Sequence, residues 1–189
     1  MPGPSTIFLS GAIRRLAVAA LKNAVAAGVI IGPGPVTIDS PGDWNTPSEA
    51  MPVILVRTGL QKKTAKAMQL TEFESLIALE IQVQLQDKSA KLAQDWIEMM
   101  GAGVEQALYS DLALLGSGSA GLIERIAAVE AETRINSNGK LHIAELDFRI
   151  WCQTLEIFGP PPGVPLVQIE GAVNDTAGNQ IAAFDVTDP

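Results

Sequence analysis

The sequence predicts an α+β domain in which two helices pack on one face of a mostly antiparallel sheet of about four strands, followed by a C-terminal extended arm. Three observations predict this class. Two separated segments carry apolar residues at helical spacing, four others have the patterns of strands, and the chain lacks the repeated strand–helix–strand units of a doubly wound sheet. With 189 residues, 47% of them hydrophobic, the chain can bury one substantial core.

The two predicted helices are both amphipathic. The first begins at Ile13 and ends near Gly28. The second follows the capping residues Asp87 and Ser89 and runs to about Tyr109. Its predicted apolar face consists of Leu92, Trp96, Met99, Met100, Val104 and Leu108.

Four strands are predicted, at residues 53–57, 78–86, 123–133 and 141–157. The first is continuously apolar, which is typical of a strand buried on both faces, and the second alternates strictly between apolar and polar residues. The turn sequence at 136–139 makes the last two strands a hairpin. The apolar parity changes after Cys152, which predicts a bulge near Gln153 and Thr154. A helix over residues 122–134, which are rich in alanine and glutamate, is the alternative.

The connecting segments contain residues that break regular structure or carry charge. The proline- and glycine-containing residues 39–52 predict a long loop that carries Trp44, and four cations predict a basic loop at 57–66. Three consecutive prolines within 159–163 end the regular structure. We therefore expect a domain over residues 1–158 and a proline-spaced arm over 159–189, with a possible short hairpin in the arm.

Composition excludes several classes of function. The net charge of −8 and the pI of about 4.6 have the wrong sign for a protein that holds nucleic acid by its phosphates. One cysteine and one histidine cannot make an internal disulfide or a Cys/His zinc site. The apolar stretch 24–36 is interrupted by glycine and proline and is too short to cross a membrane. No secretory signal is recognised, so we expect the protein to be made in a reducing cytosol.

The chain contains no recognisable catalytic set. The glycines of 116–121 have the G-x-G-x-x-G spacing, but no strand leads into them and no helix follows, which favours a flexible loop. His142 is expected to be a surface or strand-edge residue, and Cys152 an inert buried thiol. Catalysis, metal binding and cofactor binding are therefore not expected.

Two features point to an interface. Trp151 lies on the nominally exposed face of its strand, so its own chain, the arm or another subunit is expected to cover it. Residues 1–66 carry a net charge of +4 and residues 67–189 one of −12, which suits head-to-tail contact between identical subunits, although a merely solvated basic loop is the alternative. The candidate interface residues are Arg57, Lys62, Lys63, Lys66, Trp44, Trp151, Leu166 and Ile169.

The order of elements is an N-terminal helix, a Pro/Gly loop, the short strand PVILV at 52–56, and the long alternating strand at 78–86. A tryptophan-bearing helix and a final pair of strands ending in LDFRI at 146–150 complete it. Over residues 11–158 this order resembles the tail terminator proteins of long-tailed bacteriophages, the lambda-type minor tail proteins.

The resemblance implies a structural virion protein rather than an enzyme. Such a protein forms a homohexameric ring on the last ring of the tail tube, stops tube growth and presents the tail to the head–tail connector or neck protein. DNA passes through the bore without specific binding, which the acidic balance suits. The implied place is the tail or neck of the virion after assembly in the host cytoplasm. The alternatives are another neck or tail-completion protein that binds the connector and, less favoured, a small nucleotide-binding enzyme.

Overall fold

The computed structural model describes residues 9–40, 51–65, 72–115, 122–157, 169–174 and 180–186. The chain divides into two compact units, Met1–Glu156 and Ile157–Pro189. The first holds α1 (Leu9–Ala26), β1 (Thr37–Asp39), β2 (Val53–Ala65), β3 (Glu72–Asp87), α2 (Ala90–Tyr109), α3 (Leu112–Leu115), β4 (Arg125–Asn138) and β5 (Leu141–Ile157) except its last residue. The second holds β6 (Ile169–Asn174) and β7 (Gln180–Val186).

The first unit is built on one five-stranded sheet of order β1-β2-β3-β5-β4. β1 runs parallel to β2, whereas β2 pairs antiparallel with β3 and β4 with β5. The predicted α+β class is confirmed. The sheet has five strands rather than four because the three-residue β1 adds a short parallel edge strand.

One face of the sheet, here called the inner face, is covered by the helices and holds the core. The core cluster is Ile13, Ala17, Leu21, Ala24, Ile30, Ile54, Val56, Ile77, Leu79, Ile81, Val83, Leu85, Ala93, Ile97, Met100, Val104, Leu108, Leu114, Ile123, Ala144, Leu146, Phe148, Ile150 and Cys152. Alternate residues of β3 and β5 contribute to it, as their period of two predicts. The start of β2, residues 53–56, is buried on both faces, as its continuous apolar run predicts.

The predicted basic loop at 57–66 is wrong up to Ala65, because β2 continues to that residue and β3 begins at Glu72. Beyond Thr58 β2 is largely exposed, whereas the β3 residues beside it are buried or half-buried. An exposed strand needs no apolar alternation, so a run of cations can form a strand without the expected pattern. Lys66 lies outside the described residues.

The predicted bulge near Gln153 and Thr154 is also wrong, because the register shift lies on the neighbouring strand, between Ile126 and Ala128. β5 keeps its parity to its end: Glu156 binds Ser75, which shares the inner face with core residues of β3. The parity seemed to change because the inner face becomes polar there. β2 has a second bulge, between Thr58 and Gln61.

The second helix begins as predicted, with Ser89 as N-cap and its hydroxyl accepting from the Leu92 amide. Its predicted apolar face is partly wrong, because Leu92 and Met99 are about half exposed. The buried residues of α2 are Ala93, Ile97, Met100, Gly101, Gly103, Val104 and Leu108. The two glycines extend this face, since a Cβ added at Gly101 would collide with the Leu146 Cδ2. The buried face of α2 is therefore rotated from the predicted one toward Gly101 and Gly103. A prediction based on large apolar side chains does not include these glycines.

The hairpin predicted from the turn at 136–139 is confirmed. β4 and β5 pair along their length, with Gly139 at a φ of 65° in the turn, so the helical alternative for 122–134 is excluded. In the second unit β6 and β7 pair antiparallel, as the possible short hairpin of the arm requires. The proline segment 159–163 and the loop residue Trp44 lie outside the described residues. The boundary between residues 158 and 159 stays a prediction.

Candidate assembly surface

The face of the sheet opposite the helices, here called the outer face, is strongly polar where β3 and β5 lie side by side. Gln82 donates to Asp147 and Gln84 donates to Glu145, so the two strands run in opposite directions. Both glutamines are buried, and a hydrogen bond of 2.7 Å joins them to each other. Hydrogen bonding of this kind offsets the cost of burying amide groups.

Four charges of alternating sign cross the outer face, one on each of four neighbouring strands. Arg57 on β2 places its Nε 2.7 Å from Glu80 Oε2 on β3. Arg149 on β5 lies 3.3 Å from the other Glu80 oxygen and 3.5 Å from a carboxylate oxygen of Glu130 on β4. Opposite charges on adjacent strands each contribute roughly 0.2–1 kcal/mol. We call Arg57, Glu80, Arg149 and Glu130 the charge row.

A second group of charges lies beside the charge row. Arg134 on β4 places Nη2 2.6 Å from Asp147 Oδ2 and Nε 3.2 Å from Glu132 Oε1. The pKa of Arg134 is raised, first by the charge of Asp147 and then by Glu132. Together the two groups line a shallow concavity of about 460 Å³.

Gly59 makes room for the centre of the charge row. It lies in the β2 bulge, and a Cβ added there would stand 2.6 Å from Glu80 Oε1 and 2.8 Å from Glu80 Cδ. Contacts that short force a shift of the carboxylate. The glycine therefore allows Glu80 to reach both Arg57 and Arg149.

Trp151 is contacted by charged residues of its own chain. The Lys62 Nζ lies 5.8 Å from the centroid of the ring, and the indole Nε1 donates to Glu130 Oε1 over 3.4 Å. A cation at this distance from an aromatic face is attracted to it. Of the coverings expected for Trp151, the described structure contains the one by its own chain, and the ring remains half-buried.

A polar cluster ends the inner face where β2, β3 and β5 meet. The Glu156 carboxylate accepts hydrogen bonds from Lys63 Nζ at 2.6 Å, Ser75 Oγ at 2.5 Å and Gln61 Nε2 at 3.0 Å. Burial alone would raise the pKa of Glu156, but the bonds from Lys63 and Ser75, the Lys63 charge and the bond from Gln61 together lower it. Glu156 is therefore held as an anion that ties the three strands together.

The candidate interface residues fall into two sets. Arg57, Lys62, Lys63 and Trp151 all belong to the five-stranded sheet, and Lys62 meets Trp151 there. Ile169 opens β6 in the second unit and is paired in register with Val186. Lys66, Trp44 and Leu166 lie outside the described residues.

Sequence reasoning missed the four carboxylates that pair with cations of the sheet: Glu80, Glu130, Asp147 and Glu156. Polar residues at every second position of β3 and β5 showed that the outer face is polar. Which cation faces which carboxylate, however, depends on the register between neighbouring strands, and the residue pattern of one strand does not determine that register.

Cys152 and His142, which the sequence analysis assigned no catalytic role, lie on β5. Cys152 is fully buried, as expected, and burial raises the pKa of its thiol to about 12. His142 opens β5, and its Nδ1 lies 3.1 Å from the Ser137 hydroxyl across the hairpin. The glycine-rich segment 116–121 lies outside the described residues.

Within the described residues, no three His, Cys, Asp or Glu side chains are grouped so that they could hold a metal ion. No helix in the same part of the chain has the length and apolarity needed to cross a membrane.

No protein-family model matches the sequence, and no curated protein sequence matches it. Among solved structures, the chain is similar to one from the virion of a native gene transfer agent particle, with 17% sequence identity and a TM-score of 0.44. That match covers 78% of this chain and 99% of the other. A similarity of this degree does not establish a shared function.

Proposed function

We propose that the protein is a structural component of a phage-like virion, a ring-forming subunit that ends growth of the tail tube and presents the tail to the head connector. In this role it works by assembly, without catalytic turnover. Its partners are further copies of itself, the tail tube protein and a connector or neck protein.

The order of elements carries the proposal. The sequence resembles tail terminators in having a helix, a proline- and glycine-rich segment, a short apolar strand, a long strand, a tryptophan-bearing helix and a final hairpin. These elements fold together as one sheet covered by two helices. The net charge of −8 also suits a ring whose bore passes DNA without holding it.

Two measurements test the proposal. Negative-stain microscopy of the purified full-length chain should show rings with a central hole. Added to polymerising tail tube protein, the chain should shorten the tubes and cap one end of each. The protein heated above its unfolding transition serves as the control for nonspecific effects on the tubes.

The outcomes separate this role from its neighbours. Monomers that leave tube length unchanged would overturn the proposal. Rings that bind a connector but not the tube would assign the chain to another neck or tail-completion role, and the tail-ending function would be wrong.

A further inference from the structure

We propose that copies of this chain join head to tail by sheet extension, with the exposed edge of β4 in one copy lying antiparallel beside the exposed edge of β2 in the next. The inference rests on the ring-forming function proposed above and identifies the surfaces that form the ring. It is carried by the exposure, direction and charge of the two edges.

The first observation is that the sheet has exposed backbone at both ends. β4 is an end strand of 14 residues, and within the described chain only β5 pairs with it. At the other end, β1 pairs with β2 only over residues 53–55. From Arg57 onward β2 is exposed at every residue except the half-buried Thr58 and Gln61. Unpaired strand edges are templates for pairing with another chain.

The second observation concerns strand direction. β2, β3, β5 and β4 alternate in direction, so β2 and β4 run opposite ways. A copy placed alongside in the same orientation therefore sets its β2 antiparallel to β4, and its helices stay on the same side. A row of copies joined in this way still has one β2 edge and one β4 edge exposed at its two ends. The row closes into a ring when the rotations between successive copies add up to a full turn.

The third observation is the charge at each edge. The charge row begins with the cation Arg57 on β2 and ends with the anion Glu130 on β4. The exposed stretch of β2 adds Lys62 and Lys63 and contains no acid. The regular stretch of β4 presents Glu130 and Glu132, with 61% and 68% of their side chains exposed, and one cation, Arg134, which pairs with Glu132 and with Asp147 of its own copy. Head-to-tail contact brings the cations of the β2 edge in one copy toward the acids of the β4 edge in the next.

Bulges restrict where the edges can pair. The bulge between Thr58 and Gln61 interrupts β2, and that between Ile126 and Ala128 interrupts β4. Bulges twist an edge and disfavour indiscriminate pairing. The regular stretches that remain, residues 61–65 and 128–138, are the ones we expect to meet.

Site-specific cross-linking of the full-length chain tests the contact. Ala65 and Ala131 are exposed, one on each stretch, and both tolerate a small substitution. The native Cys152 is buried with a thiol pKa of about 12, so it does not compete for a short bismaleimide reagent. The Ala65→Cys/Ala131→Cys double variant should give a ladder of covalent multimers that ends at the size of the ring.

The single variants supply the controls. Ala65→Cys alone and Ala131→Cys alone should remain monomeric on a denaturing gel, because head-to-tail contact never joins the same residue of two copies. An equimolar mixture of the two should stop at dimers.

Three results would overturn the proposal. Dimers from Ala131→Cys alone would indicate a two-fold contact between β4 strands. Rings seen by microscopy without a cross-linked ladder would refute edge pairing and leave the ring-forming function standing. A double variant that neither cross-links nor forms rings, with the unsubstituted chain also monomeric, would refute both.

Discussion

The carboxylate of Glu80 occupies the space into which a side chain on Gly59 would project, with 2.6 Å between Glu80 Oε1 and the position of an added Cβ. The same carboxylate binds Arg57 and Arg149. The two ion pairs at the centre of the charge row therefore depend on the absence of a side chain at Gly59.

Gly59→Ala should displace Glu80 and weaken both of its ion pairs. We expect the free energy of unfolding to fall by about 1 kcal/mol, measured by chemical denaturation, because the two pairs are partly exposed and each contributes little. Gly11→Ala is the matched control, since a Cβ at Gly11 has open space and α1 gains helix propensity. Equal stability of Gly59→Ala and the unsubstituted chain would contradict the role assigned to this glycine.

Gly103→Ala should destabilise the domain although alanine favours a helix by about 1 kcal/mol. A Cβ at Gly103 would stand 2.8 Å from the Val29 carbonyl oxygen, and backbone yields less readily than a side chain. Overpacking costs about 1–3 kcal/mol, so we expect a lower melting temperature. Gly101→Ala meets the end of the flexible Leu146 side chain instead and should cost less. The reverse order of the two variants would contradict this account.

Glu156 should make stability depend on pH in the acid range. Its pKa is lowered in the folded protein, so it contributes stability above the pKa of the unfolded chain, about 4.3, and that contribution disappears as the pH falls through the folded value. Glu156→Gln should therefore be less stable than the native chain at pH 7, with the difference shrinking below about pH 4. Ser75→Ala, which removes one donor, should act in the same direction by less. A stability difference that stays constant from pH 7 to pH 3 would contradict the lowered pKa.

The sequence predicts the fold wherever one residue pattern decides the structure. The alternation through Leu79, Ile81, Val83 and Leu85 requires a half-buried strand, and the turn before Leu141 requires a hairpin. It does not predict the second half of β2, because that half is largely exposed and has no apolar face to impose a period.

The candidate surface is less predictable for a different reason. Arg57 and Lys62 stand out as cations, but Arg57 faces Glu80 through the β2–β3 register, and Lys62 reaches Trp151 after a bulge in β2 shifts that register by one residue. That bulge has no signature in the sequence beyond a glycine. Cross-strand chemistry therefore requires the structure.

Reversing the charge of the candidate interface lysines should weaken assembly. Replacing Lys62, Lys63 and Lys66 with glutamate should shift the ring toward monomer in sizing chromatography, and more strongly at low salt, where like charges repel with less screening. Lys63 also binds Glu156, so replacing it disturbs the polar cluster as well as the edge of β2. Lys62→Glu alone tests the effect of the edge charge without that disturbance. Lys91→Glu, on an exposed position of α2, is the charge-matched control. An unchanged elution profile at low salt would indicate that these cations are only solvated.

Ending the chain at Phe158 should leave a folded, soluble domain but impair ring stability or attachment to the tail. The core cluster ends at Cys152, so the truncation removes none of it, and circular dichroism should show a cooperative thermal transition close to that of the full chain. What is lost is the β6–β7 hairpin and the proline segment before it, which favours a stiff spacer of about 3 Å per residue. An isolated two-stranded hairpin is marginally stable in water, so it gains stability by docking on another surface, and a neighbouring subunit or a tail protein offers one. Ring formation by negative stain and capping of tail tubes measure the loss. A truncated chain that assembles and ends tubes as well as the full chain would show that the arm is dispensable.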